Sequence, residues 1–342
     1  MYDFEDSSTY IPPALRRNFD LSNDDATKEL KRRLQGQLNR LSETNFSSIL
    51  TEIENLYRTN SRATINSCLY QIYDDALLST LALTGDTRLA EHALLASLLH
   101  ANIGLEIGSF LFEKFSAMLL EHINDEISNK KSDNLILLIS YFYALHMTNG
   151  KIIFDIAKYI LTNGEFNEKR LELILLLLKT IGFFLRKENP LELKSFLQEL
   201  RSVCSSSTAL ISTASKRLEF MMDTIKSLKN NDIRKLPGGF QPERIDRLRK
   251  IYRNLIHEKN LQQANLLNVG LDDYLHVHER GRWWIVGSAW QKQSIVQQEK
   301  SVEFNEKINR LAKEQHMNTD IRKLIFGTLL TSQVRSNFHL FC

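Results

Sequence analysis

The sequence predicts an all-α fold: an α-α superhelix of about five HEAT-like helical hairpins, followed by a mostly helical C-terminal extension. Two observations carry this prediction. The stretch between Pro13 and Pro190 contains no proline, which permits a long series of helices. Short polar or glycine-bearing interruptions recur through the same stretch and indicate turns between helices. No alternating apolar pattern is long enough to begin a β-sheet.

The interruptions divide the first two thirds of the chain into helical segments that pair into hairpins. Each pair spans about 40 residues, the period of HEAT-type repeats, in which a hairpin buries its apolar face only against the next one. The predicted segments cover residues 25–42, 46–59, 62–83, 88–102, 105–127, 133–147, 150–162, 167–187, 190–203 and 208–229.

The triplet Thr-Asn-Gly occurs twice between these segments, at residues 148–150 and 162–164. Asparagine and glycine tolerate the left-handed backbone conformation that commonly ends a helix. Both triplets are therefore predicted to lie at helix C-termini.

The composition changes after Asn230, where a connector containing proline and glycine begins. We therefore predict four parts of the chain: a lead-in (1–24), the helical repeat domain (25–230), a linker with a basic helix and a tryptophan-rich block (231–315), and the start of a second helical domain (316–342).

The basic helix is predicted at about residues 243–260. Its apolar residues, Ile245, Leu248, Ile251 and Leu255, share one face at helical spacing. Between Lys226 and Lys259 there are 10 Lys/Arg against 4 Asp/Glu. This excess predicts a positive patch for RNA phosphates, although a merely solvated helix face explains it equally well. The candidate RNA-binding residues are Arg244, Arg247, Lys250 and Arg253.

Composition and charge exclude several classes of protein. The formal net charge of +3 arises from 44 basic and 41 acidic residues, so the whole chain is no polycation. Its three cysteines lack CxxC spacing, which argues against a disulfide framework or a zinc site and favours a reducing compartment.

The acidic N-terminus lacks a signal sequence, and the apolar runs at 135–147 and 171–185 fall short of the roughly 20 residues that cross a bilayer. We expect no membrane association.

No catalytic motif is visible in the sequence. The patterns GxSxG, HExxH and GxxxxGK[ST] do not occur, so we expect no enzyme and no cofactor. His276 and His278 form an i, i+2 pair without a third ligand at usable spacing, so no metal site is expected.

A phosphatase-docking pattern also occurs twice. Residues 300–304 (KSVEF) and 151–154 (KIIF) match the loose basic-Val/Ile-x-Phe pattern by which peptides dock on protein phosphatase 1. Because the second match falls inside a predicted helix, the pattern is not specific, and we do not expect this partner.

Three motifs resemble one protein family. Residues 10–16 (YIPPALR) resemble the YxPPxxR lead-in of proteins with the middle domain of eukaryotic initiation factor 4G, and residues 38–42 (LNRLS), with Asn45 and Phe46, resemble the first helix and turn of that domain. Residues 281–290 (GRWWIVGSAW) resemble a block found in the nucleolar branch of the family. Residues 316–326 resemble the start of its second helical domain, which we expect to be missing because the tail does not continue the pattern.

The resemblance implies a scaffold that binds a DEAD-box RNA helicase of the initiation factor 4A type and supports small-subunit ribosomal RNA processing in the nucleus and nucleolus. RNA or the pre-ribosome is a further possible partner. The family pattern places the helicase contact at the turn after the first helix, where Leu41 and Phe46 could equally be packing residues. The alternatives are a direct RNA-binding protein and a splicing or translation member of the superfamily, which the 281–290 block disfavours. The candidate helicase-binding residues are Asn39, Arg40, Leu41, Ser42, Asn45 and Phe46.

Overall fold

The computed structural model describes residues 13–206, 216–232, 242–256 and 266–280, and within these ranges the chain is helical and contains no β-strand. The predicted all-α fold is therefore confirmed. The helices are α1 (Pro13–Leu38), α2 (Phe46–Thr59), α3 (Arg62–Leu77), α4 (Asp86–Ile103), α5 (Leu105–His122), α6 (Lys131–Ala144), α7 (Gly150–Thr162), α8 (Glu168–Glu188), α9 (Pro190–Ser206), α10 (Lys216–Asn230), α11 (Pro242–Leu255), α12 (Leu271–Leu275) and α13 (Val277–Arg280).

The helices stack as hairpins in two layers. Helices α2, α4, α6, α8 and α10 pack successively in one layer, while α1, α3 and α5 pack in the other, as do α7 and α9. Helix α6 lies at the centre, and its residues 132–144 are all buried. This explains the apolar run at 135–147, which forms an inner helix of the repeat array. None of the helices in the described ranges is long and apolar enough to cross a membrane.

Helix α3 ends at Leu77, six residues before the end predicted from the sequence. The reason lies in the distant side chain of Asn134, which accepts a hydrogen bond from the amide of Thr84 at 2.8 Å and donates to the carbonyls of Ser79 and Ala82 at 3.0 Å each. These bonds hold the chain as a loop. Leu81, predicted to be helical, is instead 91% exposed at the tip.

Other helices also begin or end at residues that differ from the predicted ones. Helix α1 begins at residue 13 and ends at 38 rather than spanning 25–42, and α5 ends at 122 rather than 127. The predicted helix at 208–229 overlaps α10 (Lys216–Asn230), and its residues 208–215 lie outside the described residues. The basic helix, α11, ends at Leu255 rather than at residue 260.

The two Thr-Asn-Gly triplets take opposite roles. Gly164, after α7, has φ +100°, so the second triplet ends a helix as predicted. The first triplet begins one instead: the side chain of Asn149 accepts a hydrogen bond from the amide of Ile152 at 3.2 Å and caps the N-terminus of α7. Asparagine is suited to either end of a helix, so the triplet alone does not predict whether a helix begins or ends there.

The described part of the C-terminal extension packs on the repeats. Helix α11 lies against α4, where the side chain of Asn102 donates to the carbonyl of Leu255 at 3.2 Å. The chain then pairs at Leu267 with Met147, whose carbonyl accepts from the Leu267 amide at 3.0 Å. Helix α12 contacts α5 and α7 of the other layer. Helix α11 thus packs on one layer of the repeats and helix α12 on the other.

Candidate partner-binding surfaces

The turn between α1 and α2, residues 39–45, is held by its own side chains. The Asn45 side chain donates to the carbonyl of Arg40 at 2.5 Å and accepts from the amide of Ser42 at 2.9 Å. The hydroxyl groups of Ser42 and Thr44 lie 3.0 Å apart and share a hydrogen bond. Ser42 and Asn45 therefore shape the turn, because their polar atoms are committed to it.

The structure separates the other four predicted residues of this turn into two groups. Leu41 is 9% exposed and Phe46 is 1% exposed, so both side chains pack in the core. Asn39 and Arg40 are exposed. The Arg40 guanidinium leans back along α1, with Nη2 donating to the Gln37 side chain at 2.9 Å. Of the six residues, Asn39 and Arg40 offer the most surface to a partner.

The basic helix α11 lies beside this turn. Arg247 Nε is 3.6 Å from a carboxylate oxygen of Glu43 in the turn, and Arg244 Nη1 is 2.7 Å from Asp86 at the start of α4. The sequence suggested the turn and the basic helix as two separate sites. The fold brings them to one edge of the repeat array, where acidic residues of the repeats partly neutralise the basic helix.

The other two predicted RNA-binding residues, Lys250 and Arg253, are exposed. Arg253 Nε donates to the backbone carbonyl of Arg249 at 3.3 Å. Within the described ranges, no carboxylate forms an ion pair with either side chain. Lys250 and Arg253 are thus the part of the predicted RNA patch that remains available to phosphates.

Arg249 anchors α11 to the repeats, and the sequence interpretation did not identify it. Its guanidinium carbon lies 4.2 Å from the centre of the Phe184 ring, its Nε donates to the carbonyl of Ala144 at 2.6 Å, and Nη2 is 3.7 Å from a carboxylate oxygen of Glu188. Burial lowers the pKa of the Arg249 guanidinium, and the carboxylate of Glu188 opposes that shift. The helical i, i+4 spacing from buried Ile245 was the available signal.

His146 lies under the same helix, with its ring centre 6.1 Å from that of Tyr252. Its backbone has φ +63°, in the left-handed region. Burial lowers the pKa of His146, and the positive charges of Arg249 and Arg253 lower it further, whereas Glu188 opposes them. Burial and the two arginines thus favour the neutral form of the imidazole beneath α11.

The described part of the chain contains no group of three or more His, Cys, Asp or Glu residues that could hold a metal ion. Cys68 and Cys204 are buried free thiols, and burial raises the pKa of Cys204 to about 11. His276 Nδ1 lies 2.9 Å from a carboxylate oxygen of Asp272. The side chain of His278 lies outside what the structure describes.

Several sequence motifs also fall outside the described residues. These are residues 10–12 of the 10–16 lead-in motif, the tryptophan-rich block at 281–290, the phosphatase-like match at 300–304 and the predicted second domain at 316–342. The other phosphatase-like match, 151–154, lies within α7 and its phenylalanine is buried.

Comparison with known proteins identifies the repeat array. The MIF4G domain matches residues 31–232, which contain the α1–α2 turn and the stacked hairpins. The chain belongs to the MIF4G domain family. The resemblance to the middle domain of initiation factor 4G is thereby confirmed.

The curated MIF4G relatives extend the similarity beyond the repeats. Nucleolar MIF4G domain-containing protein 1 of Mus musculus is 36% identical over 346 residues, covering 97% of this chain and 40% of the relative. The Homo sapiens protein of the same name is 37% identical over 339 residues, covering 95% and 38%. Suppressor of glycerol defect protein 1 of Schizosaccharomyces pombe is 27% identical over 347 residues, covering 95% and 44%.

The chain therefore spans about two fifths of the length of these curated MIF4G relatives. The mouse and human proteins carry the word nucleolar in their names, which supports the nuclear and nucleolar location predicted for this MIF4G protein.

Proposed function

We propose that this MIF4G protein is a non-catalytic scaffold in the nucleolus, which binds a DEAD-box RNA helicase of the initiation factor 4A type and supports small-subunit ribosomal RNA processing. The observation that carries the proposal is the α1–α2 turn. It presents Asn39 and Arg40 to solvent from a conformation held by the bonds of Asn45, within a chain that belongs to the MIF4G domain family.

A rigid array suits this role physically. A helicase of this class has two lobes whose relative orientation changes during ATP turnover. A stacked-helix scaffold that contacts the lobes shifts their equilibrium through its different affinity for the two arrangements. The scaffold itself then needs no catalytic side chain.

The ion pair between Arg247 and Glu43 adds a supporting role for α11. Because Glu43 lies in the turn, α11 braces the segment that carries Asn39 and Arg40. The predicted helicase-binding turn and the basic helix would in this way act as one surface.

The proposal is tested by titrating purified helicases of the initiation factor 4A type against the full chain, with and without RNA. The double variant Asn39→Ala with Arg40→Glu should weaken binding about tenfold or more, because both side chains are exposed and one charge is reversed. Helical content, followed by circular dichroism, should stay unchanged.

The matched control is Asn55→Ala with Arg58→Glu, which makes the same two changes on exposed residues near the other end of α2. This control should bind as the parent does. Equal affinity of the parent and the turn variant would remove the α1–α2 turn from the interface. Failure of the parent to bind any such helicase would contradict the proposed function itself.

A further inference from the structure

A groove opens at the end of the repeat array, between α9 and α10. Both helices pack on α8, and the groove between them has a volume of about 480 Å³. Its described lining residues belong to α8, α9 and α10, so the groove shares none of them with the α1–α2 turn or with α11.

The floor of the groove is apolar. Leu193 and Leu197 contribute from α9, and Ile225 and Leu228 from α10. Leu197 is only partly buried, so its side chain is the floor residue that a visiting group can reach. Such a floor favours apolar side chains.

The rim of the groove carries the cations Arg186, Lys194, Arg201 and Lys229, and the described residues that line it include no acidic side chain. Arg186 is committed to the fold, because its Nη1 donates to the carbonyl of Lys229 at 2.7 Å and to that of Leu228. Among the residues that the structure describes, no carboxylate forms an ion pair with the other three. These positive charges thus face solvent around an apolar floor.

We propose that this groove docks an acidic amphipathic helix of a partner protein. Lys194, Leu197 and Arg201 lie at i, i+3 and i+7 on α9, so they share one face of that helix. A visiting helix with leucines on one side and glutamates beside them matches both the floor and the rim.

Neighbouring parts of the chain do not supply this charge. Residues 207–215 contain no charged residue, and residues 233–241 contain two cations and no acid. RNA phosphates would match the cations but would leave the apolar floor unused, since the described lining of the groove contains no aromatic side chain on which bases stack. The combination of apolar floor and cationic rim favours a protein segment.

The experiment measures fluorescence anisotropy of a labelled synthetic peptide of about 18 residues, roughly five helical turns, with leucines at i, i+3, i+4 and i+7 and glutamates elsewhere. The full chain should bind this peptide. A peptide with lysines in place of the glutamates should not bind. Lys194→Glu with Arg201→Glu should weaken binding of the acidic peptide by about tenfold or more.

The control is Lys151→Glu with Lys158→Glu, two exposed lysines of α7 with the same i, i+7 spacing. It should bind as the parent does. A third variant, Leu197→Ser, should also weaken binding; where it lowers helical content, the rim variant alone decides. Absence of peptide binding, or binding unaffected by the rim reversal, would overturn the proposal. So would preferential, rim-dependent binding of a labelled oligouridine, which would make the groove an RNA site.

Discussion

Two basic surfaces of this protein differ in what their charges contact. On α11, Arg244, Arg247 and Arg249 each lie within ion-pair distance of an acidic residue of the repeats. In the groove between α9 and α10, the described residues supply no such partner to Lys194 or Arg201. A run of basic residues in the sequence is therefore not by itself evidence of a binding surface. A helix that packs on the repeats can use its cations in ion pairs with the acidic residues of the repeats.

The two regions also differ in how they are joined to the fold. Helix α11 docks through long-range contacts with α4, α6 and α8, so its charged residues act as attachment points. Helix α9 follows α8 directly and packs on α7 and α8. The packing of α9 does not depend on Lys194 and Arg201 of its outer face. These two cations therefore remain available to a partner.

The strongest test of this contrast removes the anchor of α11. Arg249→Ala should lower the free energy of unfolding by about 2 kcal/mol, because it removes the cation–π packing on Phe184 and the hydrogen bond to the carbonyl of Ala144. Urea denaturation of the full chain measures the change. The exposed Arg253→Ala should change stability by less than about 0.5 kcal/mol. Equal losses in the two variants would mean that α11 is not anchored by Arg249.

A smaller effect is expected from pH at the same interface. The groups that face His146 are Arg249, Glu188, Arg253 and Tyr252. Because its folded pKa is lowered, the unfolded chain binds more protons below the ordinary value of about 6.5. His146 therefore contributes stability above that value, which is lost as pH falls through its folded pKa.

The variant His146→Asn tests this, because asparagine tolerates the positive φ at this position. It should make stability less sensitive to acid below about pH 6.5. Denaturation at a series of pH values measures the slope. Part of the acid sensitivity should persist, since burial lowers the pKa of His92 in the core to about 4. An unchanged slope in the variant would show that His146 does not contribute.

The exposed ion pairs of α11 should matter less still. Arg247 is 59% exposed beside Glu43, so Arg247→Ala should cost at most about 1 kcal/mol. The loss should shrink at high salt because exposed pairs are screened. Comparing denaturation in low and high salt measures this. A larger loss that salt does not reduce would identify packing, rather than charge, as the contribution of Arg247.

The smallest expected effect concerns RNA. Lys250→Glu with Arg253→Glu should flatten the slope of log affinity against log salt for single-stranded RNA, by about 0.7 for each phosphate that the variant no longer neutralises. Arg244→Glu with Arg247→Glu should change that slope less, because those side chains already face Asp86 and Glu43. Tight, sequence-selective binding that survives all four replacements would move RNA recognition onto the repeats.

Local sequence patterns determined the helices and their pairing into hairpins. The proline-free stretch and the spacing of polar interruptions predicted an all-α array. These features depend on neighbours along the chain, so periodicity and turn chemistry were sufficient to predict them.

Only the tertiary structure decided the use of individual side chains. Asn134 ends α3 from 50 positions beyond Thr84, Leu41 and Phe46 enter the core while Asn39 and Arg40 do not, and Arg244 finds Asp86 across 158 positions. The groove likewise requires α8, α9 and α10 together. Burial and ion pairing depend on residues that are far apart in the sequence and come together only when the chain folds. No local sequence pattern can therefore predict them.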